Sequence, residues 1–96
     1  MVQYYYDCIK AVAGQDIKVG AFITDDEEKL ITEGCSIMVH GQDSDICAVD
    51  GVFNAESGMW DFVIPGEMTL GLKGRHFYCI MHNDSNLCFK QPLYLV

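Results

Sequence analysis

The side chains able to do chemistry in this chain are five cysteines (Cys8, Cys35, Cys47, Cys79, Cys88), three histidines (His40, His76, His82) and fourteen acids. Nucleophilic catalysis needs a thiol or hydroxyl beside a histidine that a third group orients. Cysteine and histidine are both present, but no cysteine lies in a strand-to-helix elbow or beside a Gly-rich approach. A structural zinc site carries ligand pairs at short spacing. The closest pairs here are His76/Cys79 and Cys79/His82. Both are three residues apart in a strand-like run, where side chains three apart point to opposite faces. Calcium needs six to eight converging oxygens, usually around a glycine turn. Neither Asp25-Asp26-Glu27-Glu28 nor the group Asp43, Asp45 and Asp50 has that pattern, and both read as solvated acids. There is no P-loop, dinucleotide fingerprint or nucleophile elbow. No catalytic residue, metal ligand or cofactor site is assigned, a small-molecule ligand is not expected, and the chain is not expected to be an enzyme.

The cysteines read as buried free thiols, which pack as small apolar residues. An odd count at scattered spacing is a poor disulfide framework. A Cys79–Cys88 bridge across the last hairpin is conceivable if its loop is Asn83-Asp84, and then only after export or lysis.

The elements that must position these groups are strands. Trp60, Phe62 and Ile64 alternate along one run and Phe77, Cys79 and Met81 along the next, as strands with one buried face require. Between them Pro65-Gly66 stops the first strand, since Pro65 has no N–H to donate and Gly66 accepts a positive φ. A corner of this kind lets the chain leave one sheet and enter another. Ile17, Val19, Ala21 and Ile23 alternate with Lys18, Gly20, Phe22 and Thr24. Ile37 and Val39 share a face opposite Ser36, Met38 and His40. Leu87, Phe89, Leu93 and Leu95 share a parity, and Pro92 in that run marks an edge strand or a break. Seven strand-like runs result, near 3–12, 16–24, 35–41, 46–54, 58–64, 75–82 and 86–96. Turn residues rich in Gly, Asn, Asp and Ser separate them. Residues 25–31 are too short for an independent helix and read as an acidic loop. The expectation is an all-β, antiparallel sandwich of about seven strands in one domain, residues 1–96.

The net charge of −8 is uneven, with nine acids against three lysines in residues 1–48 and five acids against three bases in 49–96. An acidic surface repels phosphate, which excludes nucleic acid as an expected partner and disfavours anionic membranes. No apolar run approaches the roughly 20 residues that cross a bilayer, and the first residues lack a signal peptide's basic and apolar regions. The expectation is synthesis in a cytoplasm. Three consecutive tyrosines, Tyr4, Tyr5 and Tyr6, put an aromatic ring on each face of a strand. Tyrosine suits protein interfaces because a large ring ends in a polar tip. They are the candidate interface residues, within an N-terminal strand or arm (1–15) used in assembly.

Residues 16–96 resemble the immunoglobulin-like N-terminal module of phage baseplate upper proteins. The matching stretches are Asp16-Ile17-Lys18-Val19 with the loop Thr24-Asp25-Asp26, and the strand Ser36-Ile37-Met38-Val39. Further matches are the W-x-F-x-I-P-x-x-M-T pattern from Trp60 to Thr69, the glycine-led strand from Gly74 to Met81, and the closing Gln91-Pro92-Leu93-Tyr94-Leu95-Val96. Where the family often has tyrosine two residues after the strand-leading glycine, this chain has His76. The resemblance implies an immunoglobulin-like fold. It also implies a non-enzymatic virion role as an adaptor or decoration subunit of the tail, baseplate or capsid, in contact with other virion proteins and with copies of itself. Two other classes stand beside it. A small acidic phage-encoded inhibitor could present its carboxylates to a host nucleic-acid-binding enzyme, and a carbohydrate-binding sandwich could stack sugars on Trp60 or an outward tyrosine. Trp60 shares its parity with Phe62 and Ile64 and is expected in the core.

Overall fold

A computed structural model describes residues 2–4, 9–41, 45–83, 85–87 and 90–96, of which 2–4 and 86 are described by backbone alone. The strands are β1 (Val2–Tyr4), β2 (Ile9–Ala11), β3 (Ile17–Ile23), β4 (Cys35–His40), β5 (Asp45–Asp50), β6 (Val52–Asn54), β7 (Met59–Ile64), β8 (Gly74–His82), β9 (Ser85–Asn86) and β10 (Gln91–Leu95). One helical turn, α1 (Gly66–Thr69), lies between β7 and β8.

The period-two patterns decide which face of each strand is covered. Ile17, Val19, Ala21 and Ile23 of β3 are buried, as are Trp60, Phe62 and Ile64 of β7 and Cys35, Ile37 and Val39 of β4. Each fully buried side chain of this size contributes about 1.5–3 kcal/mol by leaving water. The apolar faces meet in one core between two sheets. The smaller sheet runs β1-β3-β7-β6, and the larger runs β2-β10-β8-β4-β5 with β9 also paired to β8. Among the described residues all the strand pairs are antiparallel except β2 with β10, which run parallel.

Several expected runs divide. The first becomes β1 in one sheet and β2 in the other. Run 46–54 becomes β5 and β6, which also belong to different sheets and are joined by Gly51 alone. In β8 the core-facing parity is the opposite of the expected one. Tyr78 and Ile80 are fully buried beneath the sheet and His76 is 9% exposed, while Phe77 and Met81 lie half-buried on the outer side. The register explains this, because Ile80 pairs with Ile37 and Tyr78 with Val39, whose side chains point inward. Pro92 is inside β10, and β10 is not an edge strand. The pairing with β2 begins only at Leu93, so the residue without an N–H sits where the described ladder runs on the β8 side alone.

Pro65-Gly66 makes the expected change of sheet, and α1 fills the corner. The Asp16 carboxylate accepts a hydrogen bond from the Gly66 N–H at 2.8 Å, and the Thr69 hydroxyl accepts one from the Gly14 N–H at 3.1 Å. A side chain at Gly66 would strike the Gly14 carbonyl, so this close approach requires glycine. At the opposite end, residues 25–29 form the expected acidic loop. The Asp25 carboxylate accepts from the Glu27 N–H at 2.8 Å and the Lys29 N–H at 3.0 Å, and Thr24 bridges Leu30.

Candidate functional site

The site that the larger sheet builds is its outer face. Four rows of outward side chains follow from the register. At one end Lys10, Tyr94 and Arg75 stand side by side on β2, β10 and β8. Next come Pro92, Phe77, His40 and Asp45, on β10, β8, β4 and β5. Cys79, Met38 and Ala48 make the third row, and Met81, Ser36 and Asp50 the fourth. The middle of the face is thus apolar, made by the half-buried Met38, Phe77, Met81 and Pro92 around a buried Cys79. An outward sheet face normally alternates to polar residues when water is its only neighbour. Tyr94 adds a ring that is 38% exposed, and the Arg75 guanidinium lies over the Phe77 ring, 5.2 Å from its centroid.

Charge on this face is segregated. Asp45 and Asp50 lie on the β5 margin and Lys10 on the β2 margin, while Arg75 lies on β8, the central strand. The strands therefore present two acids and two bases on a chain whose net charge is −8.

His40 is the polar group held within the apolar field. Its Nδ1 is 2.5 Å from the Asp45 carboxylate and its Nε2 is 3.2 Å from the Cys79 sulfur. A thiol, an imidazole and a carboxylate in that order are the parts of a nucleophilic relay. Cys79 is 1% exposed, which leaves no room beside its sulfur for an electrophilic atom at reacting distance. The arrangement satisfies a half-buried histidine and ties the end of β4 to β5 across the register shift between Val39 and His40.

The residues singled out in the sequence are dispersed. The backbone of Tyr4 pairs with Ala21 at the edge of the smaller sheet; its side chain, and Tyr5 and Tyr6 altogether, lie outside the described residues. Cys8, Asp43 and Cys88 lie outside them as well, and with Cys88 the conceived Cys79–Cys88 bridge. His76 turns inward, its Nδ1 3.2 Å from the Gly74 carbonyl oxygen, and His82 is half-buried beside Asn83. Trp60 is 3% exposed and donates its indole N–H to the Ile31 carbonyl at 2.6 Å. Cys35 and Cys47 are free thiols packed in or against the core; burial pushes Cys35 up to about 11 and raises Cys47. Among the described residues no three His, Cys, Asp or Glu side chains converge as a metal site. Sequence reasoning missed the outer face and the His40–Cys79 contact. Its signal was the alternation of β8 read with the correct parity.

Two packed sheets, with an N-terminal segment that pairs antiparallel in one and parallel in the other, define an immunoglobulin-like β-sandwich. Among solved structures, the crystal structure of the Lin-41 filamin domain is similar over 99% of this chain and 91% of its own, with a TM-score of 0.65 and 14% sequence identity. At that identity the likeness is one of fold. No family model matches the sequence, and no curated protein does.

Proposed function

We propose that this chain is a non-enzymatic assembly module, an immunoglobulin-like adaptor or decoration subunit of a phage tail, baseplate or capsid. It acts through protein–protein contacts, including contacts with copies of itself. The observation that carries the reading is the apolar outer face of the larger sheet, where Met38, Phe77 and Met81 occupy positions that water alone would leave polar. The immunoglobulin-like fold supports it, as a scaffold used for contact surfaces, and so does the sequence resemblance to a baseplate module. Trp60, sealed in the core, offers no platform for sugar stacking, which weakens the carbohydrate reading.

Peptide mass spectrometry of purified particles tests the proposal. A virion subunit co-purifies with the particles at a fixed copy number through a density gradient. A chain that stays in the soluble lysate, and is captured there by a basic host nuclease in a salt-sensitive complex, is an inhibitor, and the virion reading is then wrong.

A further inference from the structure

We propose that copies of this chain join end to end, the Leu70 side chain of one entering the groove between residues 25–31 and β8 of the next. This rests on the reading of the chain as an assembly module and names the contact involved.

The two ends of the sandwich differ in shape. β3 and β7 reach one end at Ile17 and Ile64, where α1 and residues 70–73 follow and β8 starts at Gly74. Thr69 and Leu70 lie against Gly14, and the Ala13 N–H donates to the Val96 carbonyl, which gathers Val12, Met68, Leu70 and Val96 at this end. They are four of the eight large apolar side chains that stand exposed among the described residues, and Leu70, at 75%, is the most exposed of them. Single exposed leucines are ordinary on a surface, whereas a cluster marks a contact site. At the opposite end β8 finishes at His82 and the chain turns through residues 25–31. There Leu30, Ile31 and Leu87 line a groove of about 350 Å³, together with Asp25, Asp26 and His82. Leu30 is 48% exposed, so the apolar lining is open to an incoming side chain.

Charge selects a second copy as the occupant. Four of the chain's six bases, Lys10, Lys18, Lys73 and Arg75, belong to the α1 end, where the described acids are Asp16, Asp45 and Glu67. Residues 25–33 at the other end hold five acids and only Lys29. Opposite ends attract while two acidic ends repel, which points successive copies the same way along the strands. Arg75 is held over the Phe77 ring, so Lys73 is the base placed beside Leu70 to face Asp26 across the contact. Such an interface is heterologous. Each added copy leaves one knob and one groove free, and growth continues until a ring closes or a particle stops it. A contact confined to one end is small, so in solution it is expected at high micromolar concentration.

Sedimentation velocity on the full chain, from low to several hundred micromolar, tests this with variants that block one end each. The native chain should pass from monomer to dimer and on to larger species as concentration rises, and added salt should oppose this. Leu70→Glu removes the knob and Leu30→Glu spoils the groove, and each alone should weaken self-association by about tenfold or more. Mixed in equal amounts the two should form a dimer and stop, because the Leu30→Glu chain still offers Leu70 and the Leu70→Glu chain still offers a groove. Both positions are exposed; should Leu30→Glu fail to fold, Asp26→Lys replaces it as the groove block. A native chain that stays monomeric, a native assembly that stops at two copies, or variants that do not pair on mixing would each overturn the proposal. So would a monomer that floats with phosphatidylserine vesicles and loses that binding in Leu70→Glu, which would make this end a membrane contact. If the chain is monomeric and still co-purifies with particles, the end-to-end contact is wrong and the assembly reading stands.

Discussion

Gly51→Ala should be among the more damaging single-methyl additions available to this chain. Gly51 alone links β5 in the larger sheet to β6 in the smaller, and its N–H donates to the Cys35 carbonyl at 3.0 Å. The crossing runs directly over β7. A Cβ there would lie 2.5 Å from Phe62 Cε1 and 2.8 Å from both Phe62 Cδ1 and Trp60 Cε3. Ordinary contact begins near 3.4 Å, so the methyl group is nearly 1 Å too close to two rings. Neither ring can retreat, because Phe62 is fully buried, Trp60 is pinned to the Ile31 carbonyl, and the two stack with centroids 6.2 Å apart. Overpacking of this kind costs about 1–3 kcal/mol. In a domain of this size each kcal/mol shifts Tm by about 4–8 °C, so a loss of about 4–24 °C is expected. Thermal unfolding followed by far-UV circular dichroism reads it. Adding Phe62→Leu should relieve part of the strain, leaving the double variant less destabilised than the sum of the singles by at least about 0.5 kcal/mol. A Gly51→Ala Tm equal to the native value, or strict additivity with Phe62→Leu, would refute the steric argument.

Trp60→Phe removes the indole N–H that satisfies the Ile31 carbonyl and leaves a void in the core; denaturant unfolding should register a loss of about 2–4 kcal/mol. Hydrogen bonds from the Lys29 and Glu27 amides hold the Asp25 carboxyl below its usual value of 3.8. Its contribution to stability is therefore present above that value and lost as pH falls through the lower native one. Stability measured from neutral pH downward should show Asp25→Ala converging on the native chain in acid, and a constant difference would contradict this. Burial holds the Cys35 thiol neutral to about pH 11, so iodoacetamide at pH 8 should leave it unmodified until urea opens the core. Because the native value lies above the thiol's ordinary value of 9.0, the Cys35 contribution is complete below pH 9 and falls away through pH 11; Cys35→Ala should flatten alkaline unfolding in that window.

Alternation carried much of the fold in the sequence itself. Ile17, Val19, Ala21 and Ile23 had to share a face, as did Trp60, Phe62 and Ile64, and all of them are buried. The change of sheet at Pro65-Gly66 was legible because one residue lacks a donor and the other lacks a Cβ. The break between β5 and β6 was not, because run 46–54 looks continuous and Gly51 is small for a steric reason visible only against Phe62 and Trp60. The parity of β8 was misread because both of its faces are apolar, with His76, Tyr78 and Ile80 on one and Phe77, Cys79 and Met81 on the other. Periodicity cannot rank two apolar faces, and only pairing of Ile80 with Ile37 decides between them. The same ambiguity hid the candidate surface. The contact of His40 with Cys79 spans 39 residues of chain and depends on the β4–β8 register, which no local pattern encodes.

Methionine methyl groups offer the most direct test of the claim that the outer face of the larger sheet is where this chain meets its particle partners. Met38 and Met81 lie on that face, and Met59 lies in the smaller sheet. With labelled methyl groups, adding unlabelled proteins from dissociated particles should move the Met38 and Met81 resonances in NMR spectra while that of Met59 holds still. Resonances that all stay fixed, or a shift confined to Met59, would contradict the account.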